Sequence, residues 1–251
     1  MNRLAVGALV FGVLGSAWLC STAQNSGSAA AATVRSSVTP PSAGGPTVDE
    51  IVRKLVEQND RRAEELKGYT EQREYTIVYH GVPSLKASMT VEARFVAPSE
   101  KQFQVLSQNG PGLLVDRVLK KLLETEQKAA RNPAQTGLTP ANYNFSLVGE
   151  QVIAGRRCYA LHVEPRVKSK LLYRGTIFVD ADDYAVTEIQ AEPAQNPSFW
   201  IKKTEIHHTY AKTGPFWLPK HNRSESTIRF GGTAVLTIDY GPYHVQQVST
   251  P

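Results

Sequence analysis

Residues 174–189 read RGTIFVDADDYAVTEI and hold two apolar stretches on either side of the acidic segment Asp180-Ala181-Asp182-Asp183. The β-branched and aromatic residues on both flanks favour strands, and an Asp-rich break between them is typical of a tight turn. Parallel strands need a connection of about a dozen residues or more, so a break this short joins antiparallel strands. A calcium loop of the EF-hand type fits less well, because the required Gly and distal Glu are missing. The stretch therefore predicts one hairpin of an antiparallel sheet.

The same pattern continues on both sides of this hairpin. In the segment 85–97, Met89, Val91, Ala93 and Phe95 alternate with polar residues, as in a strand with one buried face. The predicted strands cover 70–80, 85–97, 101–108, 143–152, 156–165, 171–180, 184–191, 199–211, 217–230 and 233–246. About ten consecutive antiparallel strands must curl or close to protect their edges. We therefore predict a curved half-barrel or an incomplete β-barrel.

Two amphipathic helices accompany the strands. Thr47 and Glu50 have the spacing of a capping box, and apolar residues with helical periodicity follow them. A second helix is predicted over about 113–130, between strands. Its apolar side has two adjacent rows, which are Leu114, Val118 and Leu122, and Val115, Leu119 and Leu123. So wide an apolar arc must pack against a large apolar surface, and the fold class is mainly β (α+β).

The composition excludes several classes of protein. The 251 residues are 41% hydrophobic and 20% charged, which is typical of a globular chain and not of a disordered one. Two Cys exclude a disulfide-rich scaffold, and no Cys/His spacing fits a structural zinc site. The net charge of +5 is spread over basic pairs such as Arg61-Arg62 and Lys202-Lys203, interleaved with acids. Such pairs indicate solvated surfaces, so we expect no nucleic-acid partner.

The first 46 residues are predicted to lie outside the fold. Residues 1–23 have a basic start and an uncharged apolar run, which fits a secretory signal peptide. The alternative is a lipid anchor on Cys20, although Trp18 and Leu19 are large for the residues before a lipidated Cys. Residues 24–46 are rich in Ser, Ala, Gly and Pro and predict a disordered linker. Residues 47–251 then form a single domain, and we expect a periplasmic location.

Motifs of catalysis are missing from the sequence. It has no Gly-rich phosphate loop, no Gly-x-Ser-x-Gly elbow and no His-Glu-x-x-His. His207 and His208 are adjacent on a predicted strand, so they face opposite sides and cannot bind one metal ion together. Cys158 has no motif around it and is interpreted as a small buried strand residue. We therefore expect no enzyme activity, no cofactor and no metal.

The second half of the chain resembles the outer-membrane lipoprotein-sorting proteins of the LolA/LolB type. The resemblance is carried by residues 174–189, by Phe199-Trp-Ile-Lys-Lys, by Tyr210-Ala-Lys-Thr-Gly-Pro-Phe-Trp-Leu-Pro219 and by the closing segment 231–240. The order of signal peptide, capped helix, strands, mid-chain helix and long strand run is also similar, over about 48–246. The resemblance implies an incomplete antiparallel barrel, a helical lid and a cavity that binds the acyl chains of lipoproteins.

Candidate ligand-binding residues follow from the apolar strand positions. The expected cavity wall consists of Met89, Val91, Phe95, Phe103, Val105, Leu161, Val163, Ile177, Val179, Leu236 and Ile238. The expected lid face consists of Leu114, Val118 and Leu122. Each of these residues is equally compatible with ordinary core. An apolar cavity binds acyl chains without directional chemistry, at about 0.8 kcal/mol per buried methylene.

One departure from the family leaves the biological role open. The resemblance implies an Arg directly before the Pro that ends the second strand, but here Ala97 precedes Pro98. Arg94 is three residues away, and an odd offset points its side chain to the other face. The first hypothesis is a monomeric periplasmic carrier of lipoprotein acyl chains or other lipid, with inner- or outer-membrane transfer partners. A lipid-sensing regulatory module docked on a membrane protein and an enzyme on a lipocalin-like barrel are the alternatives.

Overall fold

A computed structural model describes Thr39 and residues 44–247. The predicted signal peptide and most of the predicted linker lie outside these residues, as does Cys20. Thr39, within the predicted linker, exchanges two backbone hydrogen bonds of 2.9 Å with Glu150. In the part of the chain that is described, no helix has both the length and the apolar character needed to cross a membrane.

Ten strands form one sheet, which confirms the prediction of a mainly β fold with about ten antiparallel strands. They are β1 (Leu66–His80), β2 (Leu85–Val96), β3 (Glu100–Asn109), β4 (Tyr143–Ile153), β5 (Arg156–Pro165), β6 (Tyr173–Asp180), β7 (Val186–Pro193), β8 (Ile201–Thr213), β9 (Phe216–Ile228) and β10 (Thr233–Gln247). Their order across the sheet is β3-β2-β1-β10-β9-β8-β7-β6-β5-β4. All neighbours are antiparallel, and the edge strands β3 and β4 do not pair with each other, so the curved sheet is an incomplete barrel.

The acidic segment forms the predicted hairpin turn between β6 and β7. The backbone N–H groups of Asp182 and Asp183 donate to Oδ1 of Asp180 at 3.0 and 2.8 Å. Arg156 of β5 pairs with the Asp180 carboxylate from the neighbouring strand. These bonds lower the pKa of Asp180 although its burial raises it. The Asp180 carboxylate therefore stabilises the turn by accepting from two of its backbone N–H groups, a role typical of Asp in turns.

β1 begins four residues earlier than predicted, directly after the first helix. Gly68, which precedes the predicted strand 70–80, pairs with Val96 of β2 and Gln246 of β10. A Cβ atom at this position would lie 2.6 Å from the carbonyl oxygen of Phe95. Gly68 therefore permits a close approach of two strands, which is one established use of Gly inside a sheet.

The first helix, α1 (Val48–Glu65), begins with the predicted capping box. The Glu50 N–H donates to the Thr47 hydroxyl at 3.3 Å, and the Thr47 N–H donates to the Glu50 carboxylate at 2.9 Å. Ile51, Val52 and Leu55 point to the sheet and are buried. The capping box determines where α1 begins, and the apolar stripe determines which side of α1 packs against the sheet.

We expect Thr47→Ala to lower the free energy of unfolding by about 1 kcal/mol, since it leaves a helix N–H without its acceptor. Chemical denaturation measures this change. Thr227→Ala, at an exposed position of β9, is the control and should change the stability by less than about 0.5 kcal/mol. Equal effects of the two substitutions would contradict the role of the cap.

The mid-chain helix, α2, consists of three continuous segments: Gly112–Leu114 (α), Val115–Leu119 (π) and Lys120–Ala130 (α). Gly110 precedes it with a φ of +111°, and a Cβ atom there would lie 2.6 Å from the Ala87 backbone. Gly110 thus joins β3 to α2 through a turn that presses against β2. A loop containing the 3₁₀ turn Pro133–Gln135 leads from α2 to the far edge strand β4. The helix therefore lies across the sheet, attached at both ends by irregular backbone.

Candidate functional site

The inner face of the sheet, which both helices cover, has two separate apolar halves. The register of the strands places them side by side: Met89 pairs with Tyr75, which pairs with Ile238 on one side, and Ile189 pairs with Ile177 on the other. The half beneath α2 belongs mainly to β1, β2 and β10, and the half beneath α1 belongs mainly to β4–β7, with Tyr210 of β8 and Trp217 of β9. The predicted cavity wall is therefore divided between two helices.

Beneath α2, the predicted lid row packs on part of the predicted wall. Leu114, Val118 and Leu122 are 0–1% exposed, and they belong to one buried cluster with sheet residues. The wall residues of this half are Met89, Val91, Leu236 and Ile238, with the half-buried Phe103 packed against them. The structure brings the lid face and these five residues together. Their contact with a ligand remains a prediction.

Beneath α1, the wall residues Leu161, Val163, Ile177 and Val179 join a second cluster. Ile51, Val52 and Leu55 of α1 cover them, and several aromatic residues complete the cluster. Two predicted wall residues lie elsewhere. Phe95 is half-buried in a small third cluster, stacked on Tyr69 at 5.4 Å between ring centroids. Val105, on the edge strand β3, is 38% exposed.

A buried polar stripe on β8 and β9 separates the two apolar halves. Its members are Thr204, His208, Asn222, Ser224 and Ser226. The hydroxyl oxygens of Thr204 and Ser226 lie 2.8 Å apart, and the Ser224 hydroxyl donates to Asn222 at 3.2 Å. The strand pairings place Asn222 directly between Ile238 and His208. An apolar ligand under one helix therefore meets polar groups before it reaches the other half.

A buried ionic cluster fastens α2 to the sheet, and the sequence interpretation missed it. At its centre, Nη1 of Arg73 (β1) donates to both carboxylate oxygens of Glu126 (α2) at 3.0 and 3.1 Å. Lys101 of β3 lies 2.5 Å from the same carboxylate, measured from its Nζ. Glu71 accepts from Nε of Arg73 at 2.6 Å. All four side chains are at most 5% exposed, and their formal charges sum to zero.

Aromatic rings enclose the cluster. The Arg73 guanidinium lies 4.6 Å from the ring centroid of Tyr240 and 5.5 Å from that of Phe103. The Tyr75 hydroxyl accepts a further hydrogen bond from Arg73 at 3.1 Å. The rings keep water out and add cation–π attraction, so the ion pairs operate at low dielectric. Phe103, a predicted wall residue, thus contacts both the apolar cluster and the ions.

The charges of the cluster determine which protonation states it holds. Burial by itself raises the pKa of Glu126, but Arg73 and Lys101 outweigh burial and lower the pKa to about 2. Burial lowers the pKa of Lys101, but Glu126 and Tyr69 together outweigh burial, so the pKa of Lys101 is raised. Burial dominates at Glu71 and raises its pKa despite Arg73. The pair between the sheet and α2 therefore stays ionised, and Glu71 is the member that gains a proton most readily.

The Arg that the family resemblance implies has no counterpart at its expected position. Ala97 follows β2 in the turn to β3, and Arg94 is exposed on the outer face, as the odd offset predicts. The buried Arg of the inner face is instead Arg73, on the preceding strand.

The two His residues lie on opposite faces of β8, as predicted. His207 is on the outer face, 2.8 Å from Glu188, which raises the pKa of His207. His208 is buried and stacks on Tyr210 at 4.5 Å, and burial lowers its pKa to about 3. His208 is therefore a neutral member of the polar stripe at physiological pH.

The Cys158 thiol is fully buried on β5. Burial raises its pKa to about 11, so it carries no thiolate near neutral pH and is a poor nucleophile. Among the described residues, no group of three or more His, Cys, Asp or Glu side chains is placed to hold a metal ion. The inner face thus offers apolar surface, a polar stripe and an ionic cluster between sheet and helix.

No protein-family model matches the sequence, and no curated protein matches it. Among solved structures, the chain is similar to a DUF1329 family protein from Desulfovibrio piger, with 12% identity, a TM-score of 0.42, and 82% of this chain and 96% of the other covered. A LolA superfamily protein from Nitrosomonas europaea has 9% identity and a TM-score of 0.36, with 81% and 96% covered. A putative outer membrane lipoprotein-sorting protein domain from Vibrio parahaemolyticus has 8% identity and a TM-score of 0.38, with 80% and 93% covered. The second of these descriptions names the LolA superfamily, and the third names an outer membrane lipoprotein-sorting domain.

Proposed function

We propose that this chain is a periplasmic, non-enzymatic carrier that binds the acyl chains of lipoproteins, or another lipid, between α2 and the inner face of the sheet. The observation that carries the proposal is the apolar contact between them. Leu114, Val118 and Leu122 present a continuous apolar row to an equally apolar part of β1, β2 and β10. Acyl chains match such a surface because they need burial and no directional partner.

The helix is built as a separable cover. It is joined to the sheet by the Gly110 turn at one end and by an irregular loop at the other, so it can move without breaking strand pairs. In the present structure the wall residues beneath it are almost completely covered. Ligand entry therefore requires α2 to rise, and the ionic cluster around Glu126 opposes that movement. The acyl chain then replaces the helix side chains as the apolar partner of the sheet.

The proposal is tested by purifying the protein from its own cells and identifying bound lipid by mass spectrometry. We expect one or more acyl-chain lipids, and a fluorescent fatty-acid probe that binds the delipidated protein and is displaced by lipid. Leu106→Ala is a control, since Leu106 is an exposed apolar residue of the edge strand β3, and it should leave probe binding unchanged. A protein that is empty as purified and binds no probe would refute the carrier proposal.

A further inference from the structure

We propose that four strand connections at one end of the barrel dock on an anionic phospholipid surface. These connections, here named the basic end, are 81–84, 166–172, 194–200 and 229–232. Antiparallel order places all four at the same end of the sheet. Backbone hydrogen bonds of 2.9 Å join three of them, from the Arg229 N–H to the Trp200 carbonyl and from the Ala194 N–H to the Leu172 carbonyl. The Tyr79 hydroxyl, at the end of β1, donates to the Gly231 carbonyl at 3.2 Å.

The basic end carries the exposed large aromatic residues of the described chain. Phe199 is 70% exposed, Phe230 is 75% exposed, and Trp200 lies between them with ring centroids 5.7 and 5.3 Å away. Val82, at the tip of the β1–β2 connection, is 98% exposed. Leaving such side chains in water is unfavourable, and Trp and Phe beside polar groups are typical of membrane interfaces.

The charge of this end identifies the partner. Its four connections contain Arg166, Lys168, Lys170 and Arg229 and no Asp or Glu, a formal charge of +4. The connections at the opposite end are 97–99, 154–155, 181–185 and 214–215. They contain two Asp and no Lys or Arg, a formal charge of −2. The connections of the basic end are therefore the more positive set, and the exposed aromatics lie on them, whereas Asp182 and Asp183 at the opposite end pair with Arg156 and Lys212.

An anionic membrane fits this end better than a protein does. The apolar side chains lie on the tips of separate turns, where each can enter the headgroup region while the nearby basic groups meet phosphates. The Arg229 guanidinium already lies 5.3 Å from the Phe199 ring, so charge and aromatic surface would reach the interface together. The core of a protein interface is instead depleted in charge. The inference concerns the outer tips only and stands apart from the lipid site beneath α2.

The test uses the protein purified from its own cells. It compares binding to mixed vesicles of phosphatidylglycerol and phosphatidylcholine with binding to vesicles of phosphatidylcholine alone. Cosedimentation should detect binding to the anionic vesicles, and added salt should weaken it. Brominated phospholipid should quench the fluorescence of Trp200 but not that of the buried Trp217, and Trp200→Phe should remove the quenched component. Absence of binding, or equal binding to neutral vesicles, would overturn the proposal and favour a protein partner for this surface.

Three variants locate the binding surface. Phe199→Ala with Phe230→Ala should weaken vesicle binding about tenfold, and Lys168→Glu should weaken it about fivefold. Lys67→Glu makes the same charge change at the exposed start of β1, at the opposite end, and should have little effect. Equal losses for Lys67→Glu and Lys168→Glu would mean that only net charge matters, which also overturns the proposal. Bound lipid measured in the same variants reports separately on the carrier function.

Discussion

Glu126→Gln is expected to lower the free energy of unfolding by about 3–5 kcal/mol, because it removes one charge from a buried, paired cluster. The shape of the side chain is kept, so no cavity forms. Arg73 and Lys101 lose the carboxylate that both of them contact, at 3.0 and 2.5 Å. The remaining anion, Glu71, has a raised pKa and compensates them poorly. Two cations then remain buried with insufficient negative charge.

Denaturant unfolding of the wild type, the variant and a matched control measures this effect. Glu124→Gln makes the same chemical change two residues away, where the side chain is 55% exposed and pairs with Lys121 on the surface. It should change the stability by less than about 1 kcal/mol. A double-mutant cycle with Arg73→Gln should show a coupling of at least about 1 kcal/mol. If Glu124→Gln and Glu126→Gln lower the free energy of unfolding by similar amounts, the buried cluster contributes no more to stability than a surface ion pair.

The loss of unfolding free energy caused by Glu126→Gln is also expected to depend on pH. The fold lowers the pKa of Glu126 from 4.5 to about 2, so the unfolded chain takes up a proton before the folded chain does. The advantage of the wild type is therefore complete above pH 4.5 and is lost as the pH falls towards 2. Glu71, with its raised pKa, acts in the opposite direction in the wild type, and the variant lacks the repulsion by Glu126 that contributes to this rise. A difference in stability that stays constant across this range would contradict the assigned charge state.

The strands could be predicted because their signals are local. Alternation around Met89 and the acidic turn at Asp180 depend only on neighbouring residues, and both predictions are confirmed. The missed start of β1 has a non-local cause. Gly68 is needed because the carbonyl of Phe95, on another strand, comes too close for a side chain. A single sequence does not show that approach, so the predicted strand begins only at residue 70.

The sequence does contain an indication of the ionic cluster, in the positions of Glu126 and Arg73. Glu126 follows Leu122 by four residues and so continues the apolar row of α2, where a charge is unexpected. Arg73 likewise occupies an inward position on β1, beside Tyr75 in the alternating pattern. The pattern indicates that each charge is buried, and a buried charge requires a partner. Which partner it has depends on how α2 crosses the sheet, and nothing local specifies that.

The division of the cavity wall also depends on long-range geometry. Leu161 and Leu236 show the same alternation, and the sequence does not reveal that different helices cover them. The polar stripe between the two halves arises only when β8 and β9 are paired in register. A lipid site on this face is therefore more restricted than a continuous apolar barrel. The half beneath α2, with its movable cover, is the part to test for ligand.

Val118→Asp is expected to abolish lipid-probe binding while the sheet stays folded. Val118 is fully buried in the π-helical turn of α2, at the middle of the row that faces Met89 and Ile238. A carboxylate cannot remain there without several kcal/mol of desolvation cost, so the helix must lift to hydrate it. Strand pairing does not involve α2, and the cluster beneath α1 does not contain Val118. The substitution should therefore disturb only α2 and the apolar surface beneath it.

Leu113→Asp is the matched control, because it makes the same change in the same helix at a side chain that is 37% exposed. This substitution should leave probe binding within about twofold of the wild type. The new carboxylate is exposed to water without any movement of α2, and a negative charge near a helix start is favourable. Hydrogen exchange then separates a lifted helix from an unfolded protein. In Val118→Asp, amides of α2 should lose protection while those of β5 and β6 keep it. A movable cover can leave the sheet without unfolding it. If Val118→Asp instead removes amide protection throughout the sheet, and probe binding is lost only together with the fold, then α2 is an ordinary part of the core.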